Sequence, residues 1–169
     1  SVMSFALHGH INNIASVGIA NTLLFSASII HVLAICQFLN AKCVGFKTFI
    51  AITVVLAISI IYLASDSAEL RSRILVSDLQ HIVEVLFLLA LFIRNGRKSY
   101  PNGSIVYILI LSILLAVFTG RTVMMENVTA ANLLSTNWFS IPLLINGVIA
   151  PIFYATGMAL LCNERREQN

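Results

Sequence analysis

Apolar residues fill this chain in long unbroken runs, and the charged residues fall at the joints between them. The first run extends from about Ile14 to Leu39 and closes at Asn40, Lys42 and Lys47. The second covers about Thr48 to Ala64 and ends at Asp66, Glu69, Arg71 and Arg73. A third, from about Leu75 to Ile93, closes at Arg94-Asn95-Gly96-Arg97-Lys98, followed by Pro101 and Gly103. The fourth spans about Ser104 to Met125, after which Glu126 begins a polar connection. A fifth runs from about Trp138 to Leu161 and ends in the polar tail Asn163 to Asn169. An apolar run of about 20 residues has the length of a helix that crosses the hydrocarbon of a bilayer. The pattern predicts an all-α, polytopic transmembrane helical bundle of about five spans. The first run is long for one crossing, so its outer end is expected to protrude or tilt.

Composition agrees. Of 169 residues, 59% are hydrophobic and only 10% charged, with a mean hydropathy of +0.93. A soluble domain carries about 25% charged residues, and one of this length has no core large enough to hide so much apolar surface. The solvent is therefore lipid, and five spans leave no room for a second, soluble domain. The basic balance, with a pI near 9.0, does not point to nucleic acid, because Lys and Arg sit where membrane topology places them. With the N-terminus outside, the cytoplasmic segments hold Lys42, Lys47, Arg94, Arg97, Lys98, Arg165 and Arg166, and the other face keeps Arg71, Arg73 and Arg121. That is the positive-inside arrangement, with the C-terminus in the cytoplasm and Trp138 as an interfacial anchor. No basic n-region marks a cleavable signal peptide. Cys36, Cys43 and Cys162 form no C-x-x-C pair and all fall near the cytoplasmic face, where thiols stay reduced. A membrane thiol oxidoreductase is disfavoured on that ground.

Ionisable groups within the spans are functional candidates, because each costs several kcal/mol in hydrocarbon unless paired. His81 and Glu84 share one face of the third helix at i and i+3, roughly two turns from its outer end. Arg121 lies about a turn inside the outer end of the fourth helix, at comparable depth. An Arg121–Glu84 pair with His81 beside it would satisfy all three, either as a structural ion pair or as a ligand or metal site. His8 and His10 precede the first helix, and Met124 and Met125 follow Arg121. Imidazole with thioether suits copper, and neutral histidines suit haem iron. His31 reads as too deep to join this outer group, and as hydrogen-bonded to a neighbouring helix instead. Asn12, Asn13, Asn21 and Asn146 are expected to supply interhelical hydrogen bonds. Pro142 and Pro151 predict kinks in the last span, a route by which movement passes to the cytoplasmic end. No hydrolase or transferase motif, phosphate loop or internal duplication is present, which disfavours enzyme and carrier alike.

The last span runs into Gly157-Met158-Ala159-Leu160-Leu161-Cys162-Asn163-Glu164-Arg165-Arg166. Its polar end is rich in helix formers and lacks a Gly or Pro to stop it, so the helix is expected to continue beyond the membrane toward a further domain. An apolar, Gly-containing run followed by Asn163-Glu164-Arg165 resembles the junction of bacterial membrane-anchored GGDEF proteins (diguanylate cyclases), in which a MASE-type multi-helix sensory domain feeds a signalling helix. The Gly120-Arg121 step is similar to that family as well, and the likeness covers about residues 118–169. The resemblance implies a sensory domain over residues 1–162 and the start of a cytoplasmic signalling helix over 163–169, with Pro142, Pro151, Glu164 and Arg165 as relay residues. It further implies a homodimer in the bacterial inner membrane, an output domain in the same chain, and no catalysis in this segment, which lacks the GGDEF motif. The rival readings are a small haem-binding electron carrier using His31 and His81, a structural anchor, and a receptor for an apolar signal molecule feeding a histidine kinase.

Overall fold

The computed structural model describes residues 18–64, 70–124 and 150–167, and among these the regular structure is entirely helical. Helix α1 is Ile19–Phe38, α2 is Phe46–Ala64, α3 is Leu70–Leu91, α4 is Pro101–Met124 and α5 is Ala150–Glu167. Between α3 and α4 lie a π-helical turn, Phe92–Gly96, and a short helical turn, Arg97–Ser99. Helices are what hydrocarbon demands, since every backbone N–H and C=O must be satisfied within its own segment. Four stretches, Ile19–Phe38, Phe46–Ala64, Arg71–Ser99 and Pro101–Met124, are long and apolar enough to cross a membrane, at 20, 19, 29 and 24 residues. At about 1.5 Å per residue even the shortest reaches about 28 Å, close to the ~30 Å of a hydrocarbon core. The chain is a multi-pass helical membrane protein. The expected fifth span is described only from Ala150 onward.

Large apolar side chains lie on the outside as well as in the core, and several polar ones are buried. Ile30, Val55, Ile58, Tyr62 and Leu109 are more than half exposed, whereas Asp78, Gln80, Thr53, Ser28 and Glu84 are buried. Apolar side chains on the outside cost nothing in lipid, and polar ones gain by facing each other.

Two compact units divide the chain, Ser1–Phe38 with Lys42–Glu84 and Leu39–Ala41 with Val85–Asn169. In the first unit α1 packs on α2, with Phe25, Leu56 and Ile60 forming a core against which Leu24, Ala57 and Val76 lie. Left-handed backbone at Asn40 (φ 47°) and Gly45 (φ 85°) reverses the chain between α1 and α2, a conformation Asn and Gly tolerate. The reversal sets the Cα atoms of Cys36 and Cys43 6.0 Å apart, and the two are joined as a disulfide. The absence of a C-x-x-C motif gave no sign of this pairing. A spacing of seven residues is too long for a motif along one helix, but the turn folds it back on itself. Helix α3 starts at Leu70, not near Leu75, so Arg71 and Arg73 are helical, and Arg73 is buried rather than a loop charge.

In the second unit the expected loop between the third and fourth spans is helical. The Arg97 N–H bonds back to the Phe92 carbonyl, five residues earlier, as a π turn requires. Tyr100 leaves the helical region (φ −139°, ψ 78°) because the ring of Pro101 excludes it. Pro101 then opens α4, where its missing N–H is no loss. Helix α4 packs chiefly on α5. The ring of buried Tyr107 stacks on Phe92 at 4.4 Å and lies 6.1 Å from the ring of Tyr154. Gly157 lets α5 approach this far, since a Cβ there would sit 2.6 Å from the Tyr107 ring. Replacing Gly157 with Leu is expected to destabilise the purified protein by about 1–3 kcal/mol through overpacking, read as a lower unfolding midpoint in detergent. Gly120→Ala, at a position with open space around it, is the control. It is expected to leave the midpoint unchanged or raise stability by about 0.5–1 kcal/mol.

Candidate functional site

The site grows from two short spacings on two helices. On α1, Ser28 and His31 stand three residues apart and so share a face; on α3, His81 and Glu84 do the same. Both faces turn to one carboxylate. Ser28 Oγ donates to Glu84 Oε2 at 2.7 Å, and His31 Nδ1 lies 2.8 Å from Glu84 Oε1. Because an ionised carboxylate can only accept, His31 holds its proton on Nδ1, either as that neutral tautomer or as imidazolium. His81 Nδ1 stands 3.8 Å from Glu84 Oε2, within ion-pair range but too far for a hydrogen bond. Ser28 also lies 3.5 Å from the Leu24 carbonyl, but its single proton serves the shorter partner.

The depths of the two helices match. His31 comes twelve residues after Ile19 and Glu84 fourteen after Leu70, so they lie about 18 Å and about 21 Å from the starts of helices that run in the same sense. His31 therefore joins His81 and Glu84 in one cluster, which corrects the reading of it as too deep. The earlier start of α3 accounts for the difference. Its expected hydrogen bond to a neighbouring helix is present, and the acceptor is Glu84. The carboxylate is satisfied within the first unit, from α1, where Arg121 was the expected partner; Arg121 is half-buried in the last turn of α4, in the second unit.

A third polar tie lies beside the cluster. Gln80, fully buried, donates through Nε2 to Thr53 Oγ1 at 3.2 Å and joins α3 to α2. Ser28, Thr53 and Gln80 were not singled out in the sequence, although the Ser28–His31 spacing on α1 repeats the His81–Glu84 spacing on α3. Asn21 is buried on α1 as well. Chemically, one carboxylate shared between two imidazoles and a hydroxyl can hold a proton between helices, or bind a small hydrogen-bonding ligand. Such groups inside a membrane are the usual elements of proton relays and ligand sites.

Of the other candidates, His8, His10, Met125 and Pro142 lie outside the described residues, as do Asn12, Asn13 and Asn146. Met124 ends α4 and is exposed, and no group of three or more His, Cys, Asp and Glu among the described residues is arranged to hold a metal ion. Pro151 is the second residue of α5 as described, and exposed. Arg165 is exposed in the last turns of α5, whereas Glu164 is half-buried and engaged. Its Oε2 accepts from the Gly103 N–H at 2.7 Å and its Oε1 from the Asn102 N–H at 3.2 Å. These are two of the N–H groups a helix start leaves without partners, and a carboxylate is favoured there by the helix dipole. Glu164 thus fastens the polar end of α5 to the beginning of α4.

Removing Glu84 as Ala leaves two half-buried imidazoles and a buried hydroxyl without their acceptor and is expected to cost about 1.5–3 kcal/mol, the range for hydrogen bonds to a charged group. Ser28→Ala should cost only about 0.6–1.7 kcal/mol, the range of single hydrogen bonds between membrane helices. Unfolding titrations in mixed micelles measure both, and a His31/Glu84 double-mutant cycle with no coupling would show that the pair contributes nothing. Compared with known proteins, this chain matches no family model, no curated sequence and no solved structure.

Proposed function

We propose that this chain is the membrane-embedded input domain of a signalling protein, seated in the bacterial inner membrane with its N-terminus outside. The single observation that carries the reading is the Glu84 carboxylate, buried and shared by His31, His81 and Ser28 between α1 and α3. A proton, cation or polar ligand taken up at this cluster changes the attraction between the two helices. Whichever packing the bound form favours gains population by the difference in affinity.

The route outward is covalent. Glu84 sits on α3, which continues through the π turn toward α4, and α4 carries α5 through Tyr107, Gly157 and Glu164. Helix α5 then runs through Asn163, Glu164, Arg165 and Arg166 to Glu167 without a break, which suits a helix that drives a cytoplasmic output domain. The resemblance of this junction to membrane-anchored GGDEF proteins makes a diguanylate cyclase the output proposed, working as a homodimer. Copper or haem is the cofactor proposed if His8, His10 and Met125 complete the site, and elemental analysis with an absorption spectrum decides that point.

Cys162, free and exposed on α5, reports the coupling directly. In inverted membrane vesicles, Glu84→Gln is expected to change the alkylation rate of Cys162 about fivefold or more, the low end of site-to-site coupling. The lipid-facing control Val55→Leu should leave the rate unchanged. Equal rates in Glu84→Gln and wild type would refute an input role for the cluster. The Glu164→Ala variant, which frees the end of α5 from α4, is expected to raise Cys162 reactivity regardless of the state of Glu84.

A further inference from the structure

We propose that Cys36 and Cys43 form a reversible dithiol–disulfide site, a modification site at the α1–α2 turn that exchanges with small disulfides of the glutathione class. The proposal rests on the reading that the turn bearing Lys42 and Lys47 faces the cytoplasm, where a permanent disulfide does not persist. The turn itself brings the sulfurs together. Asn40 and Gly45 are in left-handed backbone, the Val44 N–H donates to the Lys42 carbonyl at 2.8 Å, and the Phe46 N–H to the Cys43 carbonyl at 3.2 Å. The 6.0 Å Cα separation falls within the range that a disulfide bridges without backbone movement. Closure therefore needs only local adjustment, and so does reopening.

The two cysteines differ in access, which sets the order of events. Cys43 is half-buried, whereas Cys36 is only 4% exposed in the last turns of α1. The Cys43 thiolate attacks one sulfur of the small disulfide, forming a mixed disulfide and expelling one small thiolate. The Cys36 thiolate then attacks the Cys43 sulfur, closing the protein disulfide and expelling the second. One sulfur–sulfur bond is made and one is broken, and the two protons lost by the cysteines are taken up by the two departing thiolates. The oxidised form ties the end of α1 to the turn. Cys36 lies five residues beyond His31 and eight beyond Ser28 on the same helix, so the bond restrains the helix that presents both to Glu84. Redox state becomes a second input to the same bundle.

The test counts reactive thiols in the full chain with a mass-tagging maleimide. Residues 1–169 hold three cysteines, so in protein acid-trapped from unstressed cells this segment is expected to take three tags. Inverted vesicles treated with oxidised glutathione should lose the tags of Cys36 and Cys43 with no glutathione mass on either, whereas Cys162 keeps its tag or carries glutathione; a reductant should restore all three. Cys36→Ser and Cys43→Ser should each take two tags in the fully reduced state and show no paired loss on oxidation. One tag in unstressed cells would mean a permanent structural bond, and three tags after oxidised glutathione would mean no exchange; either overturns the proposal. Orientation is tested separately with an impermeant maleimide on a Cys36→Ser, Cys162→Ser double variant. Labelling of Cys43 is expected in inverted vesicles and not in spheroplasts, and the reverse pattern would overturn the cytoplasmic placement rather than the thiol chemistry.

Discussion

Water is absent from the bilayer interior, so each polar group there must find its partner within the protein. In hydrocarbon an unpartnered carboxylate at the centre of a helix costs about 2.5–3.5 kcal/mol or more, whereas one more apolar contact between helices gains little over contact with lipid. The few polar pairs therefore decide which helix faces meet. In the first unit Glu84 does this with Ser28 and His31, tying α3 to α1, and Gln80 does it with Thr53, tying α3 to α2. The apolar cluster of Phe25, Leu56 and Ile60 fills the space these ties define.

The second unit is held in another way. Its α4–α5 contact relies on close approach, with Gly157 against the Tyr107 ring and Gly103 beneath Leu161 and Glu164. Small residues let backbones come near enough for dispersion to act, which is the main attraction left between helices in lipid. The polar contribution is placed at the end, where Glu164 meets the N–H groups that open α4. An interior carboxylate cluster and a terminal carboxylate cap differ in how they are held. The first is held by side chains of two helices, Ser28 and His31 on α1 and Glu84 on α3; the second uses backbone N–H groups that helix geometry leaves open at the start of α4.

This contrast is what makes the proposed input role physically coherent. A centre that signals must have two packings of similar free energy and a ligand that prefers one. A carboxylate with two imidazoles near it has several protonation arrangements at nearly fixed geometry, and α3 carries the carboxylate on a helix that continues through a π turn toward α4. Such π turns often mark functional segments of helices.

Much of the helical plan was legible along the chain, because span length and charge placement are local consequences of lipid as solvent. The ends of α1, α2 and α4 fall within a few residues of the apolar runs, and the His81–Glu84 spacing showed a shared polar face before any packing was known. The start of α3 was misplaced because Arg71 and Arg73 read as loop charges, and only packing could bury Arg73 within a helix. That shift brings Glu84 to the depth of His31, which meets its carboxylate. Likewise the Cys36–Cys43 pairing and the seat of Glu164 depend on a chain reversal and on a helix end meeting a distant helix start. Spacing along one helix is written in the sequence; which two faces confront each other is decided by how whole helices align, and that is a property of the assembled bundle alone.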